Sequence, residues 1–335
     1  MTSTNRTCDF FGDAIRSVTC QRGVAWRHII VDNASGSPHE LRAAVTAVAA
    51  ESGDGSRGRI TLTRNAPAGR APGVSEGRNH GIALGSGEYV AFLDDDDVWH
   101  PEFLERLVSA LEQAPGAVGA YCGGEFIDAA GVAFDAWPAA QATADDMLSG
   151  RRAIPRIMAL VVRRSAGEAI GWFDPRYDMG EDNEFIYRLL GRGELVAVPE
   201  ALVGYRRHPG NTTGGAAARK AMREADELYL TRLIAASRAA GDLPRAAMLV
   251  ENRAQLRRRN AAREMHALLH ATRTRRGLGD ALRGAAWAVR HAPGAFFGFG
   301  LSRVLPRGDR ARRAGLGDTS VALVAFAGTA LTYLA

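Results

Sequence analysis

The chain has 335 residues, enough for one large domain or two ordinary ones and for a sizeable core. A hydrophobic fraction of 46% and a charged fraction of 24% are those of a globular protein and exclude a disordered or fibrous chain. The net charge of +5 conceals a split, since residues 1–205 hold 19 arginines against 28 acids while residues 206–313 hold 23 basic residues against 8 acids.

Nearly all the positive charge is arginine, a bias that genome composition can produce, so the basic sign does not point to nucleic acid and none is expected as a partner. Cys8, Cys20 and Cys122 are too few and too scattered for a disulfide framework or a metal knuckle. An odd, sparse set of this kind fits a reducing, cytoplasmic setting. No basic start followed by an apolar run opens the sequence, so no secretory signal is expected.

Along the first 205 residues, short apolar runs alternate with amphipathic segments, the pattern of an α/β domain. Strands are predicted at 28–31, 59–62, 89–93, 118–122, 158–162 and 195–198, each bounded by Gly, Asp or Pro. Ser37-Pro38-His39-Glu40 reads as a helix start with an N-cap, a proline at the first position and a capping-box glutamate. A second helix begins near Pro101, stripes through Leu104, Leu107, Val108 and Leu111, and stops before Pro115-Gly116. Past Gly210 the strand signals cease. Residues 214–240 and 243–274 are Ala/Arg/Leu-rich with helical periodicity, and 277–300 carries Trp287, Phe296, Phe297 and Phe299 among glycines. The expected organisation is an α/β domain over 1–212 and a helical region over 213–335.

Between two of these elements lies the most informative stretch, Tyr89-Val90-Ala91-Phe92-Leu93-Asp94-Asp95-Asp96-Asp97-Val98-Trp99. Four consecutive carboxylates following an apolar strand repel one another, and a bound cation relieves that repulsion. Hard divalent ions take such oxygen ligands. The end of a sheet strand is also where α/β folds bind ligands. A solvated acidic turn capping the next helix is the bland alternative, and the buried strand before the loop counts against it.

Gly73-Val74-Ser75-Glu76-Gly77-Arg78-Asn79-His80-Gly81-Ile82 followed by Phe92 to Trp99 resembles the family 2 glycosyltransferases of the GT-A fold. The resemblance implies a Rossmann-like mixed sheet flanked by helices, with an α-helical C-terminal extension. It further implies an inverting transferase of the hexosyl class that uses a nucleotide diphosphate sugar and a manganese or magnesium ion, in cell-envelope polysaccharide biosynthesis. By position, Asp96 is then the main metal ligand, Asp94 and Asp95 hold the metal shell and the ribose, and Arg78 lies near the nucleotide. His28 to Ser35 is similar to the family's second strand, which places Asp32 and Asn33 at the nucleobase. In Asp174 to Leu189 the position of the catalytic base falls on Asp182, with Phe185, Ile186 and Leu189 pinning its helix to the core. Tyr205 to Thr212 resembles the segment whose histidine, here His208, completes the metal shell or touches the diphosphate, with Arg206 or Arg207 offsetting its charge. Met1 to Arg6 resembles the turn after the family's first strand, which implies nucleotide contacts for Thr2 and Asn5. The strand itself is missing from this reading. Thr4 stands where the family has a base-stacking tyrosine, so either a native start several residues upstream or a degenerate, non-catalytic binding protein is the alternative.

A nucleotidyltransferase shares the sheet and the metal, but Lys220 is the sole lysine and the glycine-rich, lysine-bearing loop is missing. A single sugar addition to a glycan, a lipid-linked or a small-molecule acceptor is expected, since no Gln-x-x-Arg-Trp element is present. Arg283, Arg290, Arg303 and Arg307 around the aromatic cluster suggest peripheral contact with an anionic membrane or a helical subdomain with a solvated basic face. Residues 321–335, uncharged but rich in Ala and Gly, are too short to span a bilayer, which takes about 20 residues.

Overall fold

A computed structural model describes residues 1–6, 8–51, 59–68, 70–177, 179–211, 215–274 and 277–296. Phe297, Phe299, Arg303, Arg307 and residues 321–335, for which expectations are given above, lie outside the described residues.

The sheet is built from strands β1 (Thr2–Thr4), β2 (His28–Asp32), β3 (Ile60–Arg64), β4 (Tyr89–Ala91), β5 (Val98–Trp99), β6 (Gly119–Ile127), β7 (Ala133–Trp137), β8 (Leu160–Arg163) and β9 (Leu195–Arg206). Strands β1, β2 and β3 run parallel, with Thr2 opposite Ile30 and His28 opposite Ile60. The remainder is mixed. β8 lies antiparallel between β4 and β6, β6 pairs in parallel with β9, β5 closes on β9, and β7 folds back on β6 as a hairpin.

The expectation that the first strand is absent is corrected here. Thr2–Thr4 form it, and Met1 ties it across to β4, its amino group donating to Ala91 O at 2.7 Å while Leu93 N donates to Met1 O at 3.0 Å. Three small polar residues carry no readable hydrophobic alternation, although threonine's branched side chain suits a strand. The two halves of the sheet are thereby joined at their middle.

Helices α1 (Phe11–Thr19) and α2 (Pro38–Glu51) cover the parallel half, packing Phe11, Ile15, Leu41 and Val45 on Ile30. Helix α3 (Val74–Ala83) runs beside β1, and α4 (Phe103–Gln113) buries Phe103, Leu107 and Leu111 against the mixed half. After α5 (Ala144–Leu148) and α6 (Arg164–Ala169), helix α7 (Glu181–Leu190) sinks Phe185, Ile186 and Leu189 into the opposite face, where Phe185 stacks on Phe173 at 4.5 Å.

The helical region comprises α8 (Gly215–Ala239), α9 (Leu243–Thr274) and α10 (Leu278–His291). Tyr229, Leu230, Ile234 and Leu249 share one core with Phe92 and Phe185, so α8 and the start of α9 are bolted to the sheet. Further along, α9 and α10 form a core of their own around Met265, Leu268, Ala285 and Phe296. Among the described residues no helix is long and apolar enough to cross a membrane. Phe296 is buried and Trp287 stacks on His291 at 4.7 Å, so these two rings of the aromatic cluster are engaged within the fold.

Candidate active site

Where β1, β2, β4 and β9 end, a cleft of about 480 Å³ opens. It is lined by Thr4, Asn5, Arg6, Asn33, Arg78, Asp94, Asp95, Asp96, Arg156, Glu181, Asp182, Tyr205 and Asn211, among others. A larger cleft, about 640 Å³, lies at the opposite ends of β2 and β4, but neither the acidic loop nor Asp182 lines it.

The backbone sets this site before any side chain acts. A Cβ on Gly77 would collide with Ser3 and lie 2.8 Å from the Asn33 side chain, so glycine lets α3 press against the ends of β1 and β2. Ala34 holds φ of 59°, a left-handed conformation that costs a residue with a side chain about 1–2 kcal/mol. That turn lets Ser35 N donate to Asp32 at 2.8 Å.

The four acidic-loop carboxylates have different surroundings. Asp94 is 39% exposed and accepts from Arg78 Nη2 at 3.2 Å. Asp95 is buried and accepts from the Thr4 hydroxyl at 2.5 Å and from Arg6 Nη2 at 3.1 Å. Asp96 accepts from Arg6 Nη2 at 2.9 Å and lies 3.0 Å from His208 Nε2 and 3.4 Å from Asn211 Nδ2. Asp97 is fully buried, with one oxygen accepting from Arg206 N at 2.8 Å and the other unpartnered. Burial first, then the charges of Asp94 and Asp96, push its carboxyl well above the usual range. Asp97 is therefore the buried, structural member of the quartet, held by the backbone of Arg206.

Asp182 enters from the far wall. Gly180, at φ of 73°, turns the chain into α7 and places Glu181 and Asp182 in its first turn, where the helix dipole favours acids. Glu181 is buried and accepts from Arg78 Nη1 at 2.6 Å; burial still lifts its carboxyl above the usual range. Asp182 is only partly buried, accepts from Asn183 N at 2.8 Å, and faces the cleft. Arg78 thus bridges Asp94 and Glu181 across the cleft wall, braced by Phe173 at 5.1 Å.

The structure brings Asn5, Asn33, Arg78, Asp94, Asp95, Asp96 and Asp182 into one lining, with His208 against Asp96. It does not bring Thr2 or Asp32 there. Thr2 is buried with its hydroxyl 3.0 Å from His28 Nε2, and Asp32 is buried in an ion pair with Arg64. Asn33 is engaged by Asn65, at 2.8 Å, and donates to Pro72 O and Gly73 O at 3.2 and 3.0 Å. Arg206 is buried, its donors given to Asp96 O at 3.0 Å, Ala129 O at 3.0 Å and Asp13 at 3.2 Å. It secures the loop and is not free to meet a diphosphate.

Among the charged and amide side chains of the cleft, Arg6, Arg156, Glu181 and Asn211 escaped the sequence reading. Glu181, beside the assigned base, carried a readable signal; Arg6 and Arg156 stand in stretches without periodicity. Carboxylate oxygens from Asp96 and from Asp94 in the same lining suit a hard divalent cation, and the imidazole of His208 beside Asp96 adds a ligand that first-row transition ions accept. Among the described residues, however, no three or more His, Cys, Asp or Glu side chains gather as a ready cage. The guanidinium of Arg6, between Asp95 and Asp96, supplies the positive charge at that point.

The model of the glycosyl transferase family 2 domain matches residues 1–128, from β1 to the end of β6. The chain carries a family 2 glycosyltransferase domain. Among curated relatives, an uncharacterized glycosyltransferase of Nostoc sp. is 31% identical over 155 residues, covering 44% of this chain and 48% of that one. WcaA of Escherichia coli K12, named for colanic acid biosynthesis, is 37% identical over 100 residues, covering 30% of this chain and 32% of its own. The matches thus span about half or less of those relatives' length. Among solved structures, S. aureus TarS 1–349 in complex with UDP-GlcNAc gives a TM-score of 0.59 at 13% identity, covering 89% of this chain and 82% of that one. The mannosyltransferase PcManGT from Pyrobaculum calidifontis, in complex with GDP-Man and Mn2+, gives 0.57 at 15% identity, covering 98% and 79%. At such identities the likeness shows the fold, the GT-A arrangement of mixed sheet and flanking helices with a helical region after it.

Proposed function

We propose that this protein transfers a single sugar from a nucleotide diphosphate sugar to an acceptor hydroxyl, with inversion at the anomeric carbon. The observation that carries this reading is the meeting of Asp94, Asp96 and Asp182 on one cleft at the carboxyl ends of the sheet, within a family 2 domain. Residues 1–212 form the transferase unit and 213–335 its helical extension. Neighbours of this fold hold UDP-GlcNAc or GDP-Man, and relatives are named for colanic acid and amylovoran biosynthesis, which supports a nucleotide-sugar donor and a glycan or lipid-linked acceptor.

In this reading Asp182 accepts the proton of the acceptor hydroxyl as its oxygen attacks the anomeric carbon and the bond to the diphosphate oxygen breaks. A carboxylate at a helix start, partly exposed and lining the cleft, is open to an incoming hydroxyl. Asp96 and His208, with Asp94, hold a manganese or magnesium ion, which when bound offsets charge on the departing diphosphate. Asn5 and Asn33 face the nucleoside, and Arg6 and Arg78 offset the mutual repulsion of the carboxylates they bridge. The complete set of carboxylates favours catalysis over a degenerate, binding-only descendant.

The test is a thermal-shift screen of UDP, GDP and TDP with and without manganese, followed by turnover with the nucleotide sugar of the base that binds. A metal-dependent shift with one nucleotide is expected, since a ligand of the native state raises its apparent stability. No shift with any of them, from folded protein, overturns the reading. Arg283 and Arg290 remain exposed on α10, so peripheral contact with anionic lipid rests on charge alone; vesicle flotation at low and high salt checks it.

A further inference from the structure

On the side of the cleft away from Asn33, the β6–β7 hairpin and the end of β9 carry a ledge of aromatic rings. Phe126 stands 5.0 Å from Trp137, 5.8 Å from Tyr205 and 6.2 Å from Phe134. Two guanidinium groups lie over these rings. Arg156 sits 5.0 Å from both Trp137 and Tyr205, and Arg207 sits 5.4 Å from Tyr205 and 5.6 Å from Phe126. Arg156 and Tyr205 also line the cleft, so the ledge continues its wall.

Packing explains part of this cluster, because arginine stacked on aromatic rings steadies many hairpins. It leaves two things over. Phe134 and its neighbour Val132 are each 61% exposed, so the apolar end of the hairpin is open to solvent. Arg156 and Arg207 are also exposed, and among the described residues neither forms an ion pair, although the domain around them is rich in acids. Cations held in place by rings, with no carboxylate claiming their donors, suit an external anion.

Position separates this ledge from the donor end. Asn33 and Asn5 follow β2 and β1, the acidic loop follows β4 at mid-sheet, and the ledge stands on β6, β7 and β9 beyond it. We propose that the ledge is the acceptor subsite and that it takes an anionic saccharide, one bearing carboxylate or phosphate groups. The proposal rests on the transferase reading above. The C–H face of a pyranose lies against the negative face of Phe134 or Trp137. Arg156 pairs with the anion and presents a neighbouring hydroxyl to the cleft that Asp182 faces.

The test is calorimetric titration of the full chain, in manganese and saturating nucleoside diphosphate so that the donor end is filled. Three probes are used: a glucuronic acid tetramer, the matching glucose tetramer, and that glucose tetramer phosphorylated at its 6-hydroxyls. One anionic probe is expected to bind at least about tenfold more tightly than the neutral one, a charged hydrogen bond's worth, and which one identifies the anion. Arg156→Gln and Phe134→Ala should each weaken that binding about tenfold, the latter at an exposed site where folding is not at stake. Equal binding of neutral and anionic probes, no binding by any, or unchanged affinity in either variant overturns the proposal. Nucleoside diphosphate binding by the same sample reports on the transferase reading separately. If nucleotide binds and no anionic saccharide does, the ledge alone is refuted; if nucleotide fails to bind, both fall.

Discussion

Two regions of this molecule bury charge, and they do so differently. In the helical extension the buried charged side chains are paired off: Arg223 is ion-paired with Glu264, and Asp226 accepts from Tyr229 at 2.8 Å and from Asn260 at 3.3 Å. In the cleft, Asp94 to Asp97, Glu181 and Asp182 crowd around Arg6, Arg78, Arg206 and His208, and acids remain in excess. Matched charge fixes a structure. Unmatched charge of one sign, kept partly exposed beside a cavity, is stabilised only when something positive arrives, which makes it a site.

Substitutions should therefore separate the regions by what they change. The largest effect is expected from Asp182→Asn, which should lower turnover on the order of 10²–10⁴-fold, the usual contribution of a general base, while nucleotide affinity holds. Steady-state kinetics beside calorimetry checks this, and an intact rate removes Asp182 from the reaction. Arg223→Ala should cost stability without touching nucleotide binding, about 3 kcal/mol, because Glu264, 2% exposed, is left as a buried charge. Urea unfolding measures it; a negligible loss would mean that nearby Arg219 suffices.

Asp226 offers a pH test within the extension. Burial pushes its carboxyl up to about 6 despite the two hydrogen bonds. The folded chain then keeps a proton that the unfolded chain releases near pH 4, so stability falls as pH rises from about 4 to about 6 and stays lower above that. Asp226→Asn should abolish that decline and gain about 2–3 kcal/mol at pH 7 relative to the wild type's own trend, read from Tm between pH 4 and 8. A decline of equal size in both proteins would assign it to other groups. The smallest effect sharpens the cleft side: Asp96→Ala should remove the manganese dependence of nucleotide affinity, about tenfold, and His208→Ala part of it. Equal manganese dependence in both variants and wild type would place the ion elsewhere.

Much of this arrangement is legible in the residues, for identifiable reasons. The helices at 215–239 and 243–274 show because long amphipathic runs repeat their signal many times. Strands β2, β4 and β8 show as apolar runs because the sheet buries both faces. Strand β1, with its Thr-Ser-Thr, and β5, a pair of residues, are too short to repeat any pattern. Strand β7 is exposed along almost its whole length, so it lacks the alternation of a half-buried strand. The acidic loop and Asp182 can be read because a run of carboxylates and a helix start are local features. Arg6 over Asp95 and Arg156 over Trp137 depend on chain segments far apart in sequence, and no spacing announces them. The same holds for Asp32, whose partner Arg64 lies on the neighbouring strand.

One feature of the loop bears on its timing. The side chain of Arg206 gathers Asp13, Asp96 and Ala129 on a single buried guanidinium, while its N–H holds Asp97. Opening the loop alone would strand several polar groups at once, so it opens with the sheet. Amide hydrogens from Asp97 to Trp99 should exchange with deuterium as slowly as those of β6 and should slow little further when nucleotide binds. On the proposed function the carboxylates are in position before a ligand comes, so the approach of substrate, not the ordering of the loop, should set the pace of capture.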